Sequence, residues 1–170
     1  ADLSSLKLAS GGGSAIPVAV GNTIQEKLKL PVLEVYGMTE TSSVHTISYP
    51  DREIRIGSVG LPVPYSRVRI VKVDAAGGLL GDCAVDEIGV VTMAGPGAFG
   101  GYLNDAHNKG AFVDGNWVNS GDLGRVDAWG RLVLVDRLKD LIIRGGANVY
   151  PSEVEEALSL HAGVAQVAVI

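Results

Sequence analysis

Three short segments carry residue types whose spacing suits chemistry. Tyr36-Gly37-Met38-Thr39-Glu40-Thr41 sets a ring, a glycine, a hydroxyl and a carboxylate directly behind the apolar run 32–36. The carboxyl end of a sheet strand is where open α/β folds bind ligands. There a ring can stack on a base, glycine admits close backbone approach, a hydroxyl can donate to phosphate, and a carboxylate can hold Mg²⁺ through oxygen. A plainer reading is strand, turn and cap, with Thr39 capping the next element. Ser120-Gly121-Asp122-Leu123-Gly124 places an acidic residue in a Gly-flanked turn, where it can accept hydrogen bonds from vicinal hydroxyls. Its plainer reading is an Asx turn between two strands. Asp136, Arg137, Lys139, Asp140 and Arg144 put five charges in nine positions, just before Gly145-Gly146. That segment reads either as a solvated linker or as a hinge carrying ligand contacts. Gly145-Gly146 reads either as a turn or as a place where a narrow ligand passes close to backbone.

Other candidates fall away. His45, His107 and His161 lack metal-ligand spacing and read as surface or helix-face residues. Cys83 has nothing near it in sequence to lower its pKa and reads as structural. Ser10 and Ser14 flank glycines without forming Gly-x-Ser-x-Gly, and no Gly-x-x-x-x-Gly-Lys-Ser/Thr loop occurs. Gly11-Gly12-Gly13 alone points to no one chemistry.

Composition narrows the class. Of 170 residues 46% are hydrophobic and 19% charged, which excludes a disordered chain. With 14 Lys+Arg against 19 Asp+Glu, a net charge of −5 and no basic block, no nucleic-acid partner is expected. One cysteine cannot form an internal disulfide. No apolar run approaches the roughly 18 residues of a membrane span. The start has no signal-peptide pattern, so a cytoplasmic location is expected. The chain stops inside an apolar run, 166–170, and both ends read as cut from a longer protein.

The elements that must position these residues are set by periodicity. A short strand over 7–9 leads into the glycines, a helix spans 17–28, and 32–36 is a buried strand. That is an α/β signature. From about residue 51 the style changes. Residues 67–73 alternate as a half-buried strand, with 89–93, 117–120 and 131–135 as further strands between Gly/Asp turns. Close spacing of short strands suggests a small β barrel or sandwich. Residues 141–144 read as a strand, Pro151 opens a helix to about 160 with Val154, Ala157, Leu158 and His161 on one face, and 164–170 reads as the next strand.

In order and spacing, these segments resemble the adenylate-forming (AMP-binding) superfamily of acyl-CoA synthetases, peptide-synthetase adenylation domains and luciferases. The matching stretches are Ser10-Gly11-Gly12-Gly13-Ser14-Ala15, Tyr36-Gly37-Met38-Thr39-Glu40-Thr41, Gly57-Ser58-Val59-Gly60, Ser120-Gly121-Asp122-Leu123-Gly124, Asp136-Arg137-Leu138-Lys139-Asp140 and the run 143–155. Met38 and the run 145–155 resemble the acyl-CoA synthetase, or fatty-acid–CoA ligase, branch. The resemblance implies an α/β fold with a β-barrel-like subdomain. Residues 1–50 would end an α/β sheet subdomain and 51–136 would form the barrel-like one. Residues 137–140 would be a hinge, and 141–170 the beginning of a small α+β C-terminal domain.

The resemblance also implies a two-step reaction. A carboxylic acid and ATP give acyl-AMP and pyrophosphate, and the CoA thiol then displaces AMP. Gly11, Gly12 and Gly13 would line the acyl and adenine pocket, with Gly37 and Met38 in the nucleotide-binding loop. Tyr36 would stack on adenine, Thr39 would contact phosphate, and Glu40 would help hold Mg²⁺. Asp122 would bind the ribose hydroxyls with Arg137 assisting, Lys139 would sit at the hinge, and Gly145 and Gly146 would line the CoA path. The family's phosphate-loop lysine would precede residue 1, and its C-terminal catalytic lysine would lie beyond residue 170. These 170 residues by themselves are therefore expected to have little or no ligase activity. Two other functions stay open: a non-catalytic nucleotide-binding or interaction fragment, and an adenylating enzyme that loads a carrier protein. Small residues Gly13, Ser14, Ser42 and Ser43 leave room for a sizeable acyl group, fatty or aromatic. Oligomeric state is not legible.

Overall fold

The structure is a computed structural model that describes residues 2–14 and 16–170. Strand β1 (Ala9–Gly11) pairs in parallel with β2 (Val32–Tyr36), joined by helix α1 (Val18–Leu28). The first strand thus ends on the first glycine of the run, two residues later than its sequence suggests. β2 then pairs antiparallel with β3 (Thr46–Ile47), and β3 with β4 (Leu61–Pro62), giving sheet order β1-β2-β3-β4. Val32 and Leu33 are buried, as a strand covered on both faces requires.

A second sheet holds β5 (Arg67–Val73), β6 (Leu79–Asp82), β7 (Gly89–Ala94), β8 (Val118–Val126) and β9 (Leu132–Arg137), all antiparallel, in order β6-β5-β7-β8-β9. Among the described residues this sheet is open, with β6 and β9 at its edges, so it does not close into a barrel. A bridge between Gly60 and Leu132 sews it to the first sheet instead. Val59 N donates to Leu132 O at 3.0 Å, Leu132 N to Gly60 O at 2.8 Å, and the Ser58 hydroxyl to Leu132 O at 2.9 Å.

Both faces of the second sheet are packed. One buries Val59, Ile70, Val91, Met93 and Leu132, with Tyr36, Met38 and Leu134 against them. The other buries Val71, Val90 and Leu123 beneath Val113, Val135, Leu141 and Tyr150. β5 is therefore covered on two sides, where alternation alone suggests a half-buried strand. β7 is buried at every position, and each large apolar side chain there stabilises the fold by roughly 1.5–3 kcal/mol.

Beyond β9 the chain forms a hairpin, β10 (Ile142–Arg144) and β11 (Ala147–Val149), then α2 (Pro151–Ser159). Gly145 and Gly146 have φ of 60° and 85°. Positive φ at both central residues is what a tight two-residue hairpin turn demands, so this pair is a turn. The hairpin's return strand, β11, is not legible in the sequence. Residues 164–170 carry no strand; the Val169 amide donates to the Glu155 carboxylate at 2.8 Å. Val154, Ala157 and Leu158 on α2, and His161 beyond its end, are exposed rather than packed as an apolar face.

Candidate nucleotide-binding site

The parallel pairing of β1 and β2 sets the glycine run and the Tyr36 loop side by side at one sheet end, with Gly11 opposite Glu34. The glycines serve close chain packing. A Cβ on Gly12 would sit 2.4 Å from the Val35 side chain, and one on Gly11 would sit 2.5 Å from Ile16. Gly13 has φ of 84° and opens into free space. Ala15 of the same motif lies outside the described residues. Gly37 is the tightest point of all: a Cβ there would fall 1.7 Å from Ser43 O. The chain crosses itself here, with His45 N donating to Tyr36 O at 2.8 Å and Ser43 N to Met38 O at 3.1 Å. A 3₁₀ turn then spans Thr39–Thr41. The cap is Thr41, not Thr39. Buried Thr41 accepts from Met38 N at 3.2 Å and donates to Met38 O at 3.1 Å, which leaves Thr39 exposed to solvent.

Asp122 does not sit in a turn between strands but in the middle of β8. Between the pairs Val90–Leu123 and Thr92–Asn119, three residues of β8 face one of β7, so 120–122 bulge from the ladder. Gly121, at φ of 74°, permits the bulge. The Ser120 hydroxyl fills the gap, donating to Val91 O at 2.8 Å and accepting from Asp122 N at 3.1 Å.

A second bulge sets what faces Asp122. Gly124 pairs with Leu134 but Leu123 pairs with Asp136, so Val135 is an extra residue on β9. A regular ladder would bring Asp136 opposite Asp122, a like-charge pair that destabilises a sheet. The bulge brings Arg137 there instead. Its Nε lies 3.6 Å from Asp122 Oδ1. Asp136 turns away to accept from Ser152 N at 2.9 Å.

Tyr36 completes the cluster from 86 residues away, its hydroxyl donating to Asp122 Oδ2 at 2.5 Å. Burial, then the Asp122 carboxylate, push the phenol far above its ordinary range, against the weaker pull of Ser120 and Arg137. It is a donor at any working pH. Ser120, Gly121, Asp122, Arg137, Leu138 and Lys139 line an open cleft of about 520 Å³. Lys139 thus joins the Asp122 cluster through the 3₁₀ turn Leu138–Asp140. Gly145 and Gly146 are exposed, and no hydrogen bond or ion pair among the described residues ties them to this cleft.

Glu40 sits in the loop beside Thr39. Its carboxylate accepts from the Tyr102 hydroxyl, and its carbonyl accepts from Phe99 N at 2.8 Å. Tyr102 stands edge-on to Phe99, which stacks on Phe112. The sequence signals Tyr102 only as one of several aromatics near the Gly100-Gly101 pair. No group of three His, Cys, Asp or Glu side chains that could hold a metal occurs among the described residues. Mg²⁺ needs no such cage, since it keeps waters and takes one or two carboxylates plus substrate phosphates. Glu40 with the exposed Thr39 hydroxyl beside it is a donor set of that kind.

Two buried polar residues brace the site. Glu34, in the middle of β2, accepts from Gly57 N at 2.7 Å, and burial pushes its carboxyl above the ordinary value. The Gly57-Ser58-Val59-Gly60 motif is therefore a brace between sheets; a Cβ on Gly60 would meet Ile47 O at 2.0 Å. His45 is 1% exposed, correcting its reading as a surface residue. Its Nε2 lies 3.0 Å from Arg67 O, and burial lowers its pKa. His107 and His161 are exposed, and Cys83 is half-buried with its thiol pushed up by burial.

This fold is similar to part of that of the ATP-bound MatB from Rhodopseudomonas palustris, with a TM-score of 0.87 at 33% identity over 96% of this chain and 32% of that one. The sequence is 41% identical to a 2-succinylbenzoate–CoA ligase of Bacillus licheniformis, over 93% of this chain and 32% of the relative. It is 36% identical to a marinolic acid–CoA ligase of a Pseudoalteromonas species, over 99% of this chain and 26% of the relative. The model of the AMP-binding enzyme family matches residues 1–103. The chain belongs to that family and spans a quarter to a third of the length of these relatives.

Proposed function

We propose that the chain is the nucleotide-binding portion of an AMP-forming acyl-CoA ligase, which joins a carboxylic acid to ATP as acyl-AMP and then to CoA. The observation that carries this reading is the joining of Tyr36, Asp122 and Arg137 by a fold that separates the first two by 86 residues. In this reading Tyr36 presents its ring to adenine, and Asp122 accepts from the ribose hydroxyls with Arg137 beside it. Thr39 donates to phosphate, and Glu40 holds Mg²⁺. When bound, Mg²⁺ spreads the charge of the departing pyrophosphate. Positioning and charge neutralisation do the rest, without a covalent nucleophile.

The segment 137–140 serves as the hinge between residues 1–136 and the start of a C-terminal domain at 141. Its support is exposure at all four positions and a separate two-stranded sheet beyond it. Gly145 and Gly146 then lie along the CoA path, on the exposed tip of that hairpin. ATP and CoA as substrates, together with a lone cysteine, support a cytoplasmic enzyme. No helix among the described residues is long and apolar enough to cross a membrane.

The test uses a protein of the relatives' length that carries these residues. Asp122→Ala is expected to lower carboxylate-dependent ATP–pyrophosphate exchange by at least about tenfold, since a charge-assisted contact to ribose is lost. Unchanged exchange would remove Asp122 from the site. A panel of fatty and aromatic acids assayed for AMP release, with CoA or a carrier protein as acceptor, identifies both substrates.

A further inference from the structure

Stacking on a base needs only a ring face, which phenylalanine also supplies. The Tyr36 hydroxyl is therefore surplus to stacking, yet it is engaged. Its ring packs against the core of the second sheet, and its oxygen lies 2.5 Å from Asp122 Oδ2. We propose that the Tyr36 hydroxyl is a positioning group that locks the Asp122 carboxylate for recognition of a nucleotide bearing both ribose hydroxyls. This rests on the reading of Asp122 as the ribose acceptor.

The geometry supports the assignment in three ways. First, Asp122 lies on a bulge towards β7, so only β9 pairs with its backbone, and that pairing does not set the carboxylate plane. The last torsion of an aspartate is broad, so an unheld carboxylate samples many planes. Second, the other nearby partner cannot fix that plane. Arg137 Nε is 3.6 Å from Oδ1, an electrostatic contact longer than a hydrogen bond, and the arginine side chain is 64% exposed. Only the tyrosine reaches from a rigid, core-packed base. Third, occupancy leaves room for the ligand. A carboxylate offers about four lone-pair positions. The phenol takes one on Oδ2, Asp122 lines the open cleft, and the remaining positions are enough for two vicinal hydroxyls. The phenol also stays protonated, so it never adds a competing charge beside Asp122.

The experiment compares wild type and Tyr36→Phe in a protein of the relatives' length. Exchange is measured with ATP and with 2′,3′-dideoxy-ATP, and binding of adenosine and 2′,3′-dideoxyadenosine by calorimetry. With the ring kept, KM for ATP and Kd for adenosine are expected to rise about tenfold, the effect of one charge-assisted hydrogen bond on the acceptor. Values for the dideoxy compounds should stay within about twofold. A loss of equal size for ribo and dideoxy forms would overturn the proposal, because it would mean lost stacking or a disturbed fold. No rise for either ribo compound would overturn it as well. Tyr36→Leu serves as the comparison and should weaken both forms. If wild type binds adenosine but shows no exchange with any acid, the ligase reading fails while the binding arm still decides the role of the hydroxyl.

Discussion

Alanine at Gly37 tests the self-crossing of the site loop. Gly37 is not among the glycines with positive φ, so an alanine backbone would be unstrained there and the whole cost would be steric. The added Cβ would lie 1.7 Å from Ser43 O, 2.8 Å from Ser43 C and 2.9 Å from His45 N, all inside the 3.0 Å that real Cβ atoms respect. Relief therefore requires the two chain segments to part by more than 1 Å (from 1.7 to 3.0 Å). That movement breaks the 2.8 Å bond from His45 N to Tyr36 O and loosens the 3.1 Å bond from Ser43 N to Met38 O. Two net hydrogen bonds at about 1 kcal/mol each, with 1–3 kcal/mol for overpacking, give a loss of about 3–5 kcal/mol. For a chain of this size that is a fall in Tm of roughly 6–20 °C. The assay is thermal and urea unfolding of the 170-residue chain beside Gly77→Ala. Gly77 has positive φ and open space around it, so its alanine should cost only about 1–2 kcal/mol of backbone strain. The reasoning would be refuted if Gly37→Ala cost no more than Gly77→Ala.

Asp127 is buried, accepting from Arg131 N at 2.9 Å, Trp129 N at 2.9 Å and Arg131 Nε at 2.8 Å. Asp127→Ala leaves the Arg131 guanidinium buried without its partner and should cost about 3–5 kcal/mol by urea unfolding. Burial raises the Asp127 pKa, but the hydrogen bonds from Arg131 and Trp129 outweigh it and hold it below the usual carboxylate value. Its stabilisation is thus full above the unfolded value of about 3.9 and is lost as pH falls through the folded one, which acid titration of wild type against Asp127→Asn would show. Burial depresses the pKa of His45 in the fold, so its contribution is full above the unfolded value of about 6.5 and declines as pH falls through the folded one. Wild type should lose stability from pH 7.5 to 5.5, and His45→Gln should show a flatter slope over that window. Met93 is fully buried at the centre of the larger core cluster, and Met93→Ala should lower stability by about 2–5 kcal/mol in the same unfolding assay.

Local patterns were legible in the sequence where one face or one turn decides. The strand Val32–Tyr36 and the strand Arg67–Val73 lie where apolar runs and alternation place them. The helices α1 and α2 start within a residue of the expected positions, with proline at the N-cap of α1 and in the first turn of α2. Every residue of the Tyr36–Asp122–Arg137 cluster was named from its motif.

Other features were decided by tertiary structure. Asp122 reads locally as a turn because glycine flanks it, but pairing with β7 and β9 draws it into a bulged strand. His45 reads as an ordinary polar residue, since nothing beside it shows that Arg67 O waits at hydrogen-bonding distance. Residues 164–170 have a strand's composition yet form none, because a strand needs a neighbouring strand to pair with and none pairs with them among the described residues. Sequence alone determined which side chains could do chemistry. Only the fold determined that Arg137 rather than Asp136 faces Asp122, because one extra residue on β9 shifts the register and exchanges a repulsive partner for an attractive one.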